Sequence, residues 1–251
     1  MFKEFDFTII TVVLNSVNFI ENTLRNVKEI KKEANVEYII IDGGSDDGTI
    51  EIINNYKDTY NYFISEKDNG LYDAKNKGIV ISKGRYISFL NSGDTLSLGV
   101  LTQIITHPNF LKNNVVFYGD MTADYFVNSK HVKKKVYANH HFLFWDMKVN
   151  DPTLFIPKLS ANKIKYDLFF EIGADYNFSI LLKKSGLRFK KLNGIIAHMM
   201  ENGISSNIQK SIDERAEIHK KYYGKIYSNI RKYITIAKIK IFNYHSNNEK
   251  N

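Results

Sequence analysis

The feature that most limits what this chain can become is a series of apolar, β-branched segments that each stop at a polar cluster. Residues 7–14 (FTIITVVL) show no polar alternation, the pattern of a strand covered on both faces. They run into Asn15 and Ser16, after which Ile20, Leu24, Val27 and Ile30 recur three or four apart and predict a helix. A second run, YIII at 38–41, stops at Asp42-Gly43-Gly44-Ser45, and helical spacing resumes after Gly48-Thr49. Shorter strands are expected at 62–64 and 86–90, with a helix over 71–82 between them. Such alternation makes an α/β fold with a mostly parallel sheet, because parallel neighbours need a long, usually helical crossover. Ligands of these sheets bind beyond the carboxyl ends of the strands. Here those ends carry Asn15, Asp42 and the Asn91–Asp94 turn, which marks that edge as functional.

Composition removes several classes. The 251 residues are 43% hydrophobic and 25% charged, enough apolar material for a packed core. Without cysteine there are no disulfides, thiolate zinc sites or thiol nucleophiles. No apolar run approaches the roughly 18 residues of a membrane span. The opening Met-Phe-Lys-Glu-Phe-Asp lacks a signal-peptide pattern, so a cytoplasmic chain is expected, free or peripheral on the inner face of a cell membrane. Charge is uneven: residues 1–100 hold 11 basic and 15 acidic side chains, and residues 101–251 hold 24 and 12. A basic half attracts phosphate in a nucleotide, a nucleic acid or an anionic lipid.

The second half is less regular. Residues 115–118 (VVFY) predict a strand running into Gly119-Asp120, and the Lys-rich stretch 130–135 a solvated loop or hairpin. A helix over 176–185 stops at Gly186, followed by a strand near 187–197. No acidic residue interrupts 218–248, where Tyr222, Ile226, Ile230, Tyr233, Ala237, Ile241 and Tyr244 share one helical face opposite most of the basic side chains. Two outcomes are open for this basic amphipathic helix. Its stripe packs on the domain and leaves lysines in water, the expectation for 211–230, or it lies on an anionic membrane, the expectation for 231–244. Gly224 weakens a helix continuous through this region.

The strand 86–90 ends in Asn91-Ser92-Gly93-Asp94, so the Asp94 carboxylate can point over the sheet edge. A divalent cation sharing it with a diphosphate would take up charge on a departing nucleoside diphosphate. The plain alternative is that Asp94 caps a helix expected from about residue 96.

Four blocks in order, FTIITVVLN, YIIIDGGSDDGT, SEKDNGLYDAKNKGI and GRYISFLNSGD, resemble the family-2 glycosyltransferases of bacterial polysaccharide synthesis, over roughly residues 7–206. The resemblance implies a GT-A fold, a nucleotide-sugar donor (UDP-linked), a divalent metal (Mn²⁺ or Mg²⁺), inversion at the anomeric carbon, and a glycan or lipid-linked glycan acceptor. It implies one GT-A domain over 1–210, with the donor bound by about 1–100 and the acceptor by about 101–210, and a basic helical tail at 211–251. Thr11 and Asn15 match the end of the first strand beside the nucleotide, and Asp42 the carboxylate that accepts from base or ribose. Asp68, Tyr72, Asp73 and Asn76 match the block under the donor. Asp94 matches the last carboxylate of the metal-binding turn, in which Asn91 and Gly93 stand where carboxylates are frequent; Asn91 is kept as a donor-site residue.

Inverting transfer is a single in-line displacement, so a base must take the acceptor hydroxyl's proton. The segment FEIGADY (170–176) resembles the family's signature for that base and assigns it to Asp175, with Glu171 a surface competitor. His198 matches a polar position near metal and diphosphate. His107, His140 and His141 have no such context, and Asp151-Pro152-Thr153 falls where acceptor contacts vary. A nucleotidyltransferase is the alternative enzyme, but Thr11–Asn18 lacks the glycine and lysine of a phosphate loop. A nucleic-acid-binding role ranks third, since the lysines are not interleaved with aromatic residues and the first half is acidic.

Overall fold

A computed structural model describes residues 5–127, 130–200 and 207–248, and their side chains except at 125–131 and 240–248. Strand β1 (Phe5–Val13) lies at the centre of a five-stranded sheet, parallel to β2 (Val36–Asp42) and β4 (Gly84–Phe89). β3 (Tyr62–Ser65) extends β2 in parallel, and β8 (Ile156–Pro157) closes the other edge antiparallel to β4. Helices α1 (Ile20–Ile30), α2 (Thr49–Asn54) and α3 (Leu71–Ile81) make the crossovers. α1 buries Ile20, Leu24, Val27 and Ile30, the predicted stripe. α3 lies so close to the sheet that a Cβ on Gly78 would stand 2.6 Å from Ile10 Cγ2.

Of the second-half strands only β8 joins this sheet. β5 (Thr95–Leu96), β9 (Arg188–Met199), β6 (Val115–Val127) and β7 (Lys130–Val136) form a second sheet in the order β5-β9-β6-β7. The Lys-rich stretch is the second strand of a hairpin with β6. The helix expected from residue 96 is corrected: β5 occupies 95–96 and α4 (Val100–Ile105) begins only after Gly99, which removes the capping role for Asp94. α5 (Lys158–Ile164) and α6 (Ala174–Lys184) cover the sheet from the second half. Alternate residues of β1 feed two cores, Phe7 and Ile9 meeting Phe117, Phe155 and Ile196, and Ile10 and Val12 joining Val116, Tyr176 and Ile218.

The chain ends in α7 (Ile208–Tyr223) and α8 (Lys225–Asn248), separated at Gly224, whose φ of 90° no L-residue adopts comfortably. α8 docks through the side opposite the Tyr/Ile stripe. The Arg231 guanidinium lies 3.8 Å over the Trp145 ring and donates to the Trp145 carbonyl from Nε (3.0 Å) and Nη2 (2.5 Å). Ser228 donates to the Ala216 carbonyl, and Lys232 pairs with Asp213 at 2.7 Å. Ile226, Ile230 and Tyr233 stay 80%, 54% and 77% exposed. For Ile226 and Ile230 this corrects the expectation of a packed stripe, since the Trp145 ring, its carbonyl and the Asp213 carboxylate of α7 recruit the basic side; α7 meets it, burying Ile212 and Ile218 while Lys220 and Lys221 stay exposed. Ile241 and Tyr244 lie outside the described side chains. Among the described residues no helix is long and apolar enough to cross a membrane.

Candidate active site

The ends of β1, β2 and β4 are fastened into one rim. Asn15, at a φ of 46°, donates its N–H to Ser45 Oγ (2.8 Å), and its Oδ1 accepts from the Asp46 N–H (3.0 Å). The Ser16 N–H donates to Thr49 Oγ1 (2.7 Å), and the Ser16 and Ser92 hydroxyls share a 2.6 Å bond. Asp42 is fully buried. Its carboxylate accepts from the N–H groups of Gly44 and Ser45 and from the hydroxyls of Ser45 and Ser65. Thr11 is equally buried, donating to the Leu90 carbonyl and accepting from the Tyr38 hydroxyl. Thr11 and Asp42, expected beside the nucleotide, thus shape the rim through their bonds to neighbouring protein groups. Asn15 remains exposed at its mouth.

The Asn91–Asp94 turn uses Gly93 at a φ of 93°, held by the Thr23 hydroxyl, which accepts from the Gly93 N–H and donates to the Asp94 carbonyl. Asp94 is 2% exposed, and desolvation pushes its carboxyl up to about 7. One carboxylate oxygen accepts the Met200 N–H at 3.0 Å; the other meets the Asn91 amide at only 3.5 Å. Asn91 Oδ1 is buried with no partner. A carboxylate and an orphaned amide oxygen fit a hard divalent cation that draws its remaining ligands from diphosphate and water. His198, expected near metal and diphosphate, has Nδ1 engaged by the Thr122 hydroxyl at 2.8 Å and Nε2 by Asp124 at 2.9 Å. Among the described residues no three His, Cys, Asp or Glu side chains cluster as a metal site.

One face of α3 reaches into the second half at three points. The Tyr72 hydroxyl donates to the Ile172 carbonyl (2.7 Å), Lys75 Nζ meets Asp151 Oδ2 (2.5 Å), and the Asn76 amide brackets the Tyr166 backbone through Oδ1 (2.8 Å) and Nδ2 (2.9 Å). Tyr72 and Asn76, expected under the donor, direct these polar atoms to the neighbouring backbone and brace the two halves. Asp151 is 5% exposed and holds Lys75, which overturns its placing among acceptor contacts. Asp68 and Asp73 both approach Lys77, at 2.6 and 3.6 Å, and Asp68 Oδ2 faces Gly43 across the rim.

Asp175 stands in the first turn of α6, where the helix dipole favours an anion. Its Oδ1 accepts the Tyr176 N–H at 2.7 Å. Desolvation first, then the Asp151 charge, pushes its carboxyl up to about 6, a value suited to a base near neutrality. Glu214 of α7 accepts from the N–H groups of Glu171, Ile172 and Gly173 and so fixes the chain entering α6. Glu171 itself is exposed and paired with Lys210. A cavity of about 410 Å³ opens between Asn69–Tyr72 and Leu168–Ile172, next to this segment. Sequence reasoning missed Lys75 and Glu214. Lys75 left one trace, a lysine on the buried face of a helix; Glu214 left none.

The model of the family described as "Glycosyl transferase family 2" matches residues 8–166. The chain belongs to that family. It is 28% identical over 173 residues to an uncharacterized glycosyltransferase of Mycobacterium tuberculosis, covering 68% of this chain and 66% of that relative. It is 35% identical over 108 residues to an Escherichia coli UDP-Glc:alpha-D-GlcNAc-diphosphoundecaprenol beta-1,3-glucosyltransferase, covering 42% of this chain and 40% of that one. Among solved structures it resembles S. aureus TarS 1–349 in complex with UDP-GlcNAc, with a TM-score of 0.64 and 16% identity over 84% of this chain and 64% of that one. This family-2 glycosyltransferase has the GT-A fold that its four sequence blocks implied.

Proposed function

We propose that the chain is an inverting, metal-dependent glycosyltransferase that moves a hexose or N-acetylhexosamine from a UDP-sugar to a glycan or lipid-linked glycan acceptor in bacterial surface polysaccharide synthesis. The observation that carries this reading is electrostatic. Asp94 at the sheet rim and Asp175 at the head of α6 both feel the buried Lys75–Asp151 pair, which supports reading the metal-side and base-side carboxylates as parts of one site. Asp94 and Asn91 would hold the cation, which when bound supplies charge stabilisation for the leaving diphosphate. Asp175 accepts the acceptor hydroxyl's proton as its oxygen attacks the anomeric carbon from the opposite face. Glu214 and Tyr72 keep the Ile172–Asp175 segment in place during that transfer.

The printed names of relatives support the donor and acceptor classes: the E. coli enzyme takes UDP-Glc and a diphosphoundecaprenol-linked sugar, and a Bacillus subtilis relative, 24% identical over 202 residues, acts in minor teichoic acid biosynthesis. Lipid-linked acceptors require a membrane surface, and the outward Tyr/Ile stripe of α8 suits one. The test is UDP release from a panel of nucleotide sugars with Mn²⁺ present. Metal-dependent release from a UDP-sugar that disappears in Asp94→Ala is the expected result; metal-independent release, or none from any donor, would overturn the reading.

A further inference from the structure

Lys75 and Asp151 are 2% and 5% exposed. A buried ion pair is seldom a source of stability, because an apolar pair of similar volume serves as well or better. This one is nevertheless built with care. Lys75 Nζ sits 2.5 Å from Asp151 Oδ2 and 5.4 Å from each of the ring centroids of Tyr72, Phe89 and Tyr166, a cage of π-faces around one ammonium. The Tyr166 hydroxyl lies 3.3 and 3.4 Å from the two Asp151 oxygens. Tyr72 stacks on Tyr166 and bonds the Ile172 carbonyl, three residues before Asp175. The cage therefore touches the segment that carries the candidate base.

The groups that act electrostatically on Asp175, or feel it, come from several elements: Lys75 and Tyr72 from α3, Asp151 and Tyr166 from the segments after β7 and α5, and Arg215 from α7. Asp151 opposes a charge on Asp175, while Lys75 and Arg215 favour it. Arg215 is itself held by Asp146 at 2.5 Å.

We propose that Lys75 and Asp151 are positioning residues for the transfer reaction, a buried cation and its keeper that set how readily Asp175 gives up its proton. The proposal rests on Asp175 being the base, but the coupling itself is measurable without substrate. The experiment is a ¹³C NMR titration of the full chain labelled at the aspartate carboxyl carbon, with the Asp175 signal assigned by its loss in Asp175→Asn. In Lys75→Met, of matched length, Asp151 loses its partner and the two carboxylates hold a proton to higher pH, so the Asp175 midpoint rises by about one unit or more. In Asp151→Asn it falls. In the double variant the two changes offset, and the midpoint returns to within about half a unit of the parent. Midpoints that stay fixed in both single variants, or move the same way, overturn the proposal. Should Lys75→Met not fold, Asp151→Asn and the neutral double variant decide it, since a midpoint unmoved by Asp151→Asn overturns it equally. Failure of the functional reading looks different: Asp175→Asn would release UDP from UDP-GlcNAc or UDP-glucose at the parent's rate while the midpoint shifts persisted.

Discussion

At Asp175 two demands conflict. The residue must be ionised to accept a proton, yet it is partly withdrawn from water and feels the Asp151 charge. The outcome is a carboxyl raised to about 6, with desolvation the larger cause. The sign follows directly: below about 6 the group is protonated and cannot serve as a base, so kcat/KM should fall as pH drops through that value and level off above it. A pH–rate profile of UDP release checks this, and an acid limb near 4 would contradict it. Asp175→Asn should lower turnover by roughly 10²- to 10⁴-fold with UDP affinity unchanged. Asp94→Asn should remove the Mn²⁺-dependent part of UDP binding, read by calorimetry with and without metal. His198→Ala should leave that dependence intact, because both ring nitrogens already serve Thr122 and Asp124. Its effect belongs in the melting curve, at about 1–3 kcal/mol for the lost hydrogen bonds to Thr122 and Asp124.

Among the elements, what was legible was local. β1, β2 and α1 follow from apolar runs and spacings, and the polar strand ends do gather on one edge of the sheet. Pairings across long separations were not legible: Lys75 finds Asp151 76 residues away, and Glu214 caps α6 from a helix 41 residues beyond Gly173. For the motif residues Thr11, Asp42, Tyr72 and Asn76 the pattern gives residue type and position, whereas their protein partners depend on packing that it does not carry. The Glu214 cap has its own consequence. α6 has no side-chain cap of its own, so Glu214→Ala strands the N–H groups of residues 171–173. It should cost about 1–3 kcal/mol in a denaturant melt and lower kcat more than it raises KM, since the loosened segment carries the base rather than the donor site. A loss of stability with unchanged kcat would separate α6 from the reaction.

Over the whole molecule, the telling feature is a helix mounted with its greasy side out. A terminal helix ordinarily buries its apolar stripe, and α8 instead spends Arg231, Ser228 and Lys232 on docking and leaves Ile226, Ile230 and Tyr233 in contact with water. Exposed apolar rows of this kind mark interaction surfaces, and Lys225 and Lys238, both exposed, flank the row with charge suited to anionic headgroups. Truncating the helix would be a poor test, because it removes Arg231 from Trp145 and disturbs the fold together with the surface. Replacing Ile226, Ile230 and Tyr233 with serine leaves the docking side whole. Melting temperature should barely move, as surface changes away from packing seldom exceed about 0.5 kcal/mol. Co-sedimentation with phosphatidylglycerol vesicles should fall at least about tenfold, because each isoleucine buried in the interface contributes roughly 1.5–3 kcal/mol. High salt should weaken the parent's binding to the same vesicles through its lysines. A triple-serine variant that sediments like the parent would mean that this face meets something other than lipid.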